Sequence, residues 1–458
     1  MTLRSNLVRL LAIAGVGALA LPAAAEITVD NFQPGDVVRY PVVVLRGKAP
    51  GNSILAGRDL KNGINFPVMG GGYAATVELK PGVNMVAMKA GLDTMKIRID
   101  YRPMKSPYTV RAVWLRASDE GDTYYAAAKG EQTKVREKFD VAMKLLQSFT
   151  AEAMNAAGYG RKTFPLELDK NGKVVVHFIA SPKTGAELRA MENNASWFHI
   201  YDLMKSRFPE ATNKWCVLFG WTGFDAQQKK WLGHYALGGG ALGAFGSGSM
   251  TWWAPSLKEL PKALSNPTVI NPETQFEDSA YRRTAWANYS TALGAMIHEM
   301  GHTFGLPHSA DPFSVMSRGF DHFNRTFFPM APPHARQPDW ATFKDDERSR
   351  WDPGFAARLN WSPFFQPDGN GGKTFVTTDA PSISLEGDEV IIRAPHGLRV
   401  WSAEHDARPQ VFSEFKNNLP TVVRLVRADL RSKLDVKDSF RVVAVDNQGN
   451  QTSFDIKP

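Results

Sequence analysis

Cysteine is all but absent from this chain: Cys216 is the single one in 458 residues. No intramolecular disulfide can form, so stability must come from buried area, and a chain of this length has material for two or three cores. Long apolar runs are also lacking beyond the first 25 residues, which excludes a transmembrane helix downstream of them. Basic charge is nowhere gathered, and the one short acidic run, Asp345-Asp346-Glu347, reads as a solvated helix start. The formal net charge is +8, but Lys and Arg are scattered, without the basic clusters interleaved with aromatics that a nucleic-acid groove requires. Nucleic acid is therefore not an expected partner, and the balance reads as solubility with some attraction to acidic surfaces.

The N-terminus carries Arg4 and Arg9, an apolar run from Leu10 to Leu21, then Pro22-Ala23-Ala24-Ala25. This pattern predicts a secretory signal peptide over 1–25, cut between Ala25 and Glu26. The run is too short to span a bilayer comfortably, and no cysteine near the cut offers a lipid attachment point. The expectation is a secreted or periplasmic protein without stable membrane insertion.

The remainder divides by composition into three parts. Over 26–104, short runs rich in β-branched and aromatic residues are punctuated by Lys61-Asn62-Gly63, Gly70-Gly71-Gly72 and Lys80-Pro81-Gly82, which predicts a small immunoglobulin-like antiparallel sandwich. Over 105–366, strand and helix patterns alternate. Val135, Phe139, Ala142, Leu145, Leu146 and Phe149 recur at helical intervals within a long amphipathic helix predicted from Glu131 to Ala157. After the linker Pro367-Asp368-Gly369-Asn370-Gly371-Gly372, alternating runs over 373–458 predict a second β-sandwich. The class is α+β, and surface or polysaccharide contact through the β regions stays open.

The chemistry concentrates in His298-Glu299-Met300-Gly301-His302-Thr303-Phe304-Gly305-Leu306-Pro307-His308. Residues four apart share a helix face, so His298 and His302 can aim at one ion. Gly305 can take φ > 0 and let the chain leave the helix sharply, and Pro307 prevents the helix from resuming, which delivers His308 as a third ligand. Glu299, beside the first ligand, can act as a general base toward water. Three protein ligands and an open position suit one catalytic Zn2+ rather than a structural one. Calcium is left undecided by the pattern.

This spacing resembles the metzincin clan of zinc endopeptidases. That resemblance implies a twisted mixed sheet backed by helices, an active-site helix, and a methionine in a tight turn beneath the metal. Met316, just after Asp311-Pro312, is the candidate. Arg318 stands where some members carry a tyrosine. The stretch Arg318 to Phe327, together with the run Gly238 to Gly248, is similar to a group of zinc metallopeptidases best represented in fungi, which implies a protein or peptide substrate.

The glycine-rich run further suggests that Ala241 to Phe245, including Ala241, Leu242 and Gly243, forms an exposed edge strand that captures an extended peptide. Arg318 and His322 are candidates to stabilise an oxyanion in the cleft. A thiolate latch on zinc is excluded, because no cysteine precedes the catalytic region. Two other readings use the same residues: a zinc hydrolase of non-peptide amides or esters, and an adhesion or carbohydrate-binding protein with a vestigial protease core.

Overall fold

A five-stranded sheet carries the middle of the chain. Its strands are β1 (Thr109–Arg116), β2 (Val176–Ala180), β3 (Asn213–Phe219), β4 (Ala236–Gly239) and β5 (Leu242–Gly246), in the order β4-β5-β3-β1-β2. β2, β1, β3 and β5 run parallel, and β4 turns back antiparallel along the edge. The structure is a computed structural model that describes residues 26–126, 132–225, 227–408 and 410–458. The leader expected over 1–25 lies outside the described residues, as does the expected helix start at Glu131.

The central strands read as continuous apolar runs because both faces are covered. Successive side chains alternate between the two faces. Ala112, Trp114, Cys216 and Leu218 pack toward helices α1 (Val135–Ala156) and α2 (Ala285–Thr303). Val113, Leu115, Trp215 and Val217 pack toward the helix Asn193–Lys205 on the other side. Cys216 is fully buried, and burial pushes its thiol well up, so it serves as a small core residue.

Helix α1 departs from the amphipathic expectation. Its apolar stripe meets the sheet, but Lys138, Asp140, Lys144 and Glu152 on the remaining surface are buried as well. The N-terminal β region covers the part carrying Lys144, Ser148 and Glu152, while Lys138 donates to the Met250 carbonyl at 2.7 Å and Asp140 accepts the Val174 N–H at 2.8 Å. Glu152 takes Arg46 at 2.8 Å and Arg161 at 2.7 Å, Lys144 reaches Glu78 at 2.7 Å, and Ser148 donates to the Val42 carbonyl at 2.6 Å. Helical spacing shows which residues seek a core, but not whether a second layer arrives over the polar side.

The N-terminal region forms one curled seven-stranded arrangement around its own core. The antiparallel pattern expected from turn spacing fails at its first strand, Asp36–Val38, which pairs in parallel with Asp93–Tyr101. The first and last strands of the region meet side by side after the chain has run around the sheet.

The C-terminal region holds a three-stranded sheet and a four-stranded sheet around another core. The latter contains β6 (Leu398–Glu404) and its hairpin partner β7 (Val411–Glu414). An unforeseen helix, Arg427–Leu434, follows strand Val422–Val426. Helix α3 (Pro353–Trp361) packs against β6 and β7 and ties this region to the middle of the chain.

No helix among the described residues is long and apolar enough to cross a membrane.

Candidate metal centre

Helix α2 is buried along most of its length, so its polar side chains near the C-terminal end must be satisfied locally. Two glycines set how closely other segments approach it. A Cβ on Gly294 would lie 1.9 Å from the Phe320 carbonyl oxygen, and one on Gly301 would lie 2.3 Å from the Met316 sulfur. Met316 is fully buried directly beneath the helix, in the turn closed by the Ser317 N–H donating to the Ser314 carbonyl at 2.9 Å. The glycine inside the His-Glu-Met-Gly-His run therefore makes room for the methionine turn.

Gly305 adopts φ +81°, the left-handed conformation that ends a helix, and the Leu306 N–H returns to the Gly301 carbonyl at 3.1 Å. The chain reverses, and His308 comes back toward the first two histidines. One ligand atom from each of His298, His302 and His308 can be chosen such that all lie within 4.8 Å of one another.

The ring nitrogens test whether this cluster suits an ion. His298 Nδ1 lies 2.8 Å from the Val315 carbonyl, and His302 Nδ1 lies 2.7 Å from the Leu306 carbonyl. A carbonyl only accepts, so each Nδ1 carries the proton and each Nε2 presents a lone pair. These two Nε2 atoms face each other at 3.2 Å. In neutral rings that contact is lone pair against lone pair, repulsive unless a cation lies between. A tetrahedral zinc with bonds of about 2.0–2.1 Å places its ligand nitrogens roughly 3.3 Å apart, so the pair fits.

Burial holds His298 down to about 3 and lowers His302 as well, which keeps both in the neutral form that metal binding needs. His308 is about half exposed, and its Nδ1 is 3.0 and 3.2 Å from the two oxygens of Asp406.

Glu299 is enclosed beside this cluster, with Oε2 4.0 Å from His302 Nε2. Burial pushes its carboxyl up to about 7, a rise opposed by the nearby Gly238 backbone N–H. Gly238 belongs to β4, and a Cβ there would lie 2.2 Å from the Glu299 carbonyl oxygen. The edge strand thus rests on the helix with no space for a side chain.

This geometry corrects the expected substrate strand. Ala241, Leu242 and Gly243 are buried, and β5 is hydrogen-bonded on both sides, to β3 and to β4. The Ala241 carbonyl already accepts the Trp215 N–H at 2.7 Å. A Cβ on Gly243 would meet the Met300 sulfur at 3.0 Å, so this residue packs under the helix. The free edge is β4, one strand earlier, joined to β5 through Gly240 at φ +53°. A run of glycines shows no alternation, so the two arms of the hairpin cannot be told apart in sequence.

The oxyanion candidates are not in contact with the three histidines. Arg318 is exposed, paired with Asp321 at 2.6 Å and stacked over Phe320, whose ring in turn edges His298 at 5.3 Å. His322 packs against Phe313, and burial holds it down at about 3. Asp321 accepts from Thr291 Oγ1 at 2.9 Å and lies 3.5 Å from Arg282, so the segment Arg318–Thr326 is held by a buried polar network behind α2.

Residues 26–398 match the model of the family described as "Putative peptidase family", and the chain belongs to that family. Two curated relatives bear names that add the metal. A putative zinc metalloproteinase of Schizosaccharomyces pombe is 27% identical over 335 residues, covering 66% of this chain and 54% of the relative. One from Saccharomyces cerevisiae is 24% identical over 344 residues, covering 66% and 49%. The chain spans about half the length of these curated relatives. Among solved structures, wild-type OgpA from Akkermansia muciniphila is similar at 14% identity and a TM-score of 0.45, covering 77% of this chain and 94% of that one. A catalytically inactive OgpA in complex with an O-glycopeptide substrate gives 15% identity and 0.43, covering 77% and 93%.

Proposed function

We propose that this chain is an exported, metzincin-type zinc endopeptidase, with a catalytic region over 105–366 flanked by β domains over 26–104 and 373–458. The observation that carries the reading is the pair of unprotonated Nε2 atoms facing each other at 3.2 Å, with a buried carboxylate alongside. His298, His302 and His308 would hold one Zn2+. When bound, zinc supplies Lewis acidity, polarising a carbonyl and acidifying water.

The protein's own part of the reaction falls to Glu299 and β4. Glu299 accepts a proton from the attacking water at its carboxylate, the water oxygen adds to the scissile carbonyl carbon, and Glu299 returns the proton to the amine nitrogen as the C–N bond breaks. Burial favours the protonated form of this carboxyl in the metal-free protein, which makes its carboxylate a better proton acceptor than one in open water. β4 presents an open edge beside Glu299 on which an extended peptide adds as a further strand through main-chain hydrogen bonds.

The test is Glu299→Gln against wild type on an unfolded protein and a peptide library, with bound zinc measured in both. The expected result is about 10²–10⁴-fold lower kcat with zinc retained. Zinc bound by both proteins with no peptide cleaved by wild type would turn the reading toward a non-peptide amide or ester.

A further inference from the structure

Each histidine of the cluster needs something to hold its ring, and the three are held differently. His298 and His302 bond to main-chain carbonyls from their own neighbourhood, Val315 and Leu306. His308 has no such support. Its ring nitrogen meets the carboxylate of Asp406, which lies 98 residues further along, in the turn between β6 and β7 of the C-terminal region.

The grip is not limited to one contact. Asp406 Oδ1 also accepts the His308 backbone N–H at 3.1 Å, and the Ala407 N–H donates to the His308 carbonyl at 3.3 Å. Ala407 takes φ +54° to do so, a left-handed conformation unfavourable for a residue with a Cβ. The other end of the reversal is held as well. Arg358 on α3, almost fully buried, donates to the Gly305 carbonyl at 2.6 Å and is itself held by Glu404 at the end of β6 at 2.7 Å. The turn that delivers His308 is thus clamped at one end by Asp406 of the C-terminal β region and at the other by Arg358, which that region's Glu404 holds in place. The stretch matching the family stops at residue 398, before either acid.

We propose that Asp406 is a positioning residue for the third metal ligand, so that the C-terminal β region retains the ion rather than serving as an appendage. The carboxylate keeps the proton on Nδ1, turns Nε2 toward the other two histidines and makes the imidazole a stronger donor. Without it, a half-exposed ring on a glycine-led turn is free to rotate away, and two ligands remain.

This inference rests on the zinc reading above, so the experiment uses binding rather than turnover. Zinc affinity of the full chain is measured by competition with a chromophoric chelator for wild type, Asp406→Ala and Asp406→Asn. Asp455→Ala, which breaks the exposed Arg441 pair elsewhere in the same region, is the control. Asp406→Ala is expected to weaken zinc binding about 10–100-fold and Asp406→Asn less, with Asp455→Ala at wild-type affinity.

The visible spectrum of the cobalt-substituted protein should change in Asp406→Ala, since the third ligand is altered. The melting temperature of the chelated protein should be unmoved, whereas a purely docking role would lower it. Wild-type zinc affinity and an unchanged cobalt spectrum in Asp406→Ala overturn the proposal while leaving the zinc reading intact. If that variant does not fold, Asp406→Asn decides by the same two measurements. A wild-type chain that binds no zinc removes both.

Discussion

The two β regions look alike in sequence and stand in opposite relations to the histidine cluster. The N-terminal one packs on the back of α1 through Arg46, Glu152, Ser148 and Glu78, with the central sheet and α2 lying beyond that helix. The C-terminal one reaches the His298–His302–His308 cluster itself, through Asp406 and through the Arg358–Glu404 pair. Similar alternating strands therefore give no guidance about function. What distinguishes the two is where a few charged side chains land.

Substitutions that break each attachment should separate stability from metal binding. Glu152→Ala leaves Arg46 and Arg161 facing a buried gap, and Arg358→Met leaves Glu404 buried beside Ser402 and Gln410 without its ion-pair partner. Each is expected to cost about 3–5 kcal/mol in denaturant unfolding of the chelated protein. Only Arg358→Met should also weaken zinc in chelator competition, because it alone releases the Gly305 carbonyl. Equal zinc affinity in the two variants would erase the contrast.

Gly301→Ala addresses the middle region alone. Its Cβ would press into the Met316 sulfur, an overpacking expected to cost about 1–3 kcal/mol and to displace the Val315 carbonyl that holds His298. Stability and zinc affinity should fall together, as in Arg358→Met and unlike Glu152→Ala, but without touching either β region.

The smallest effect concerns pH. His322 is held at about 3 by burial, below its unfolded value of about 6.5. The unfolded chain thus binds a proton that the folded one refuses between those values, so stability is full above pH 6.5 and declines as pH falls toward 3. His322→Asn should remove about 1–2 kcal/mol of the loss between pH 7 and pH 5 in the chelated protein, read as a flatter plot of melting temperature against pH. An unchanged slope would show that this ring protonates freely in the folded state.

Local spacing made much of the centre readable. His298 and His302 lie one helical turn apart, Gly305 ends the helix, and Met316 follows within a short loop, so each relation spans fewer than about twenty residues. The apolar stripe of α1 was readable for the same reason. What failed required knowing where distant segments return. Asp406 meets His308 across 98 residues, and an isolated acid in a hairpin turn has no pattern to announce it. Ala241 to Phe245 was mistaken for an edge because glycine carries no side chain whose alternation could reveal which arm of the hairpin is covered. The polar surface of α1 looked solvent-facing because Glu152 and Lys144 find their counter-ions on a separate sheet.

The Gly238 amide that opposes the rise in the Glu299 carboxyl belongs to the main chain, so no exchange of side chains short of proline can delete it. It faces away from β5 because of the register in which β4 pairs with that strand. A slip of a single position would swing the amide toward β5 and away from the carboxylate. The acidity of the Glu299 carboxyl, set first by burial, is in this smaller part written into how two strands are aligned, and evolution could retune it by sliding a hairpin.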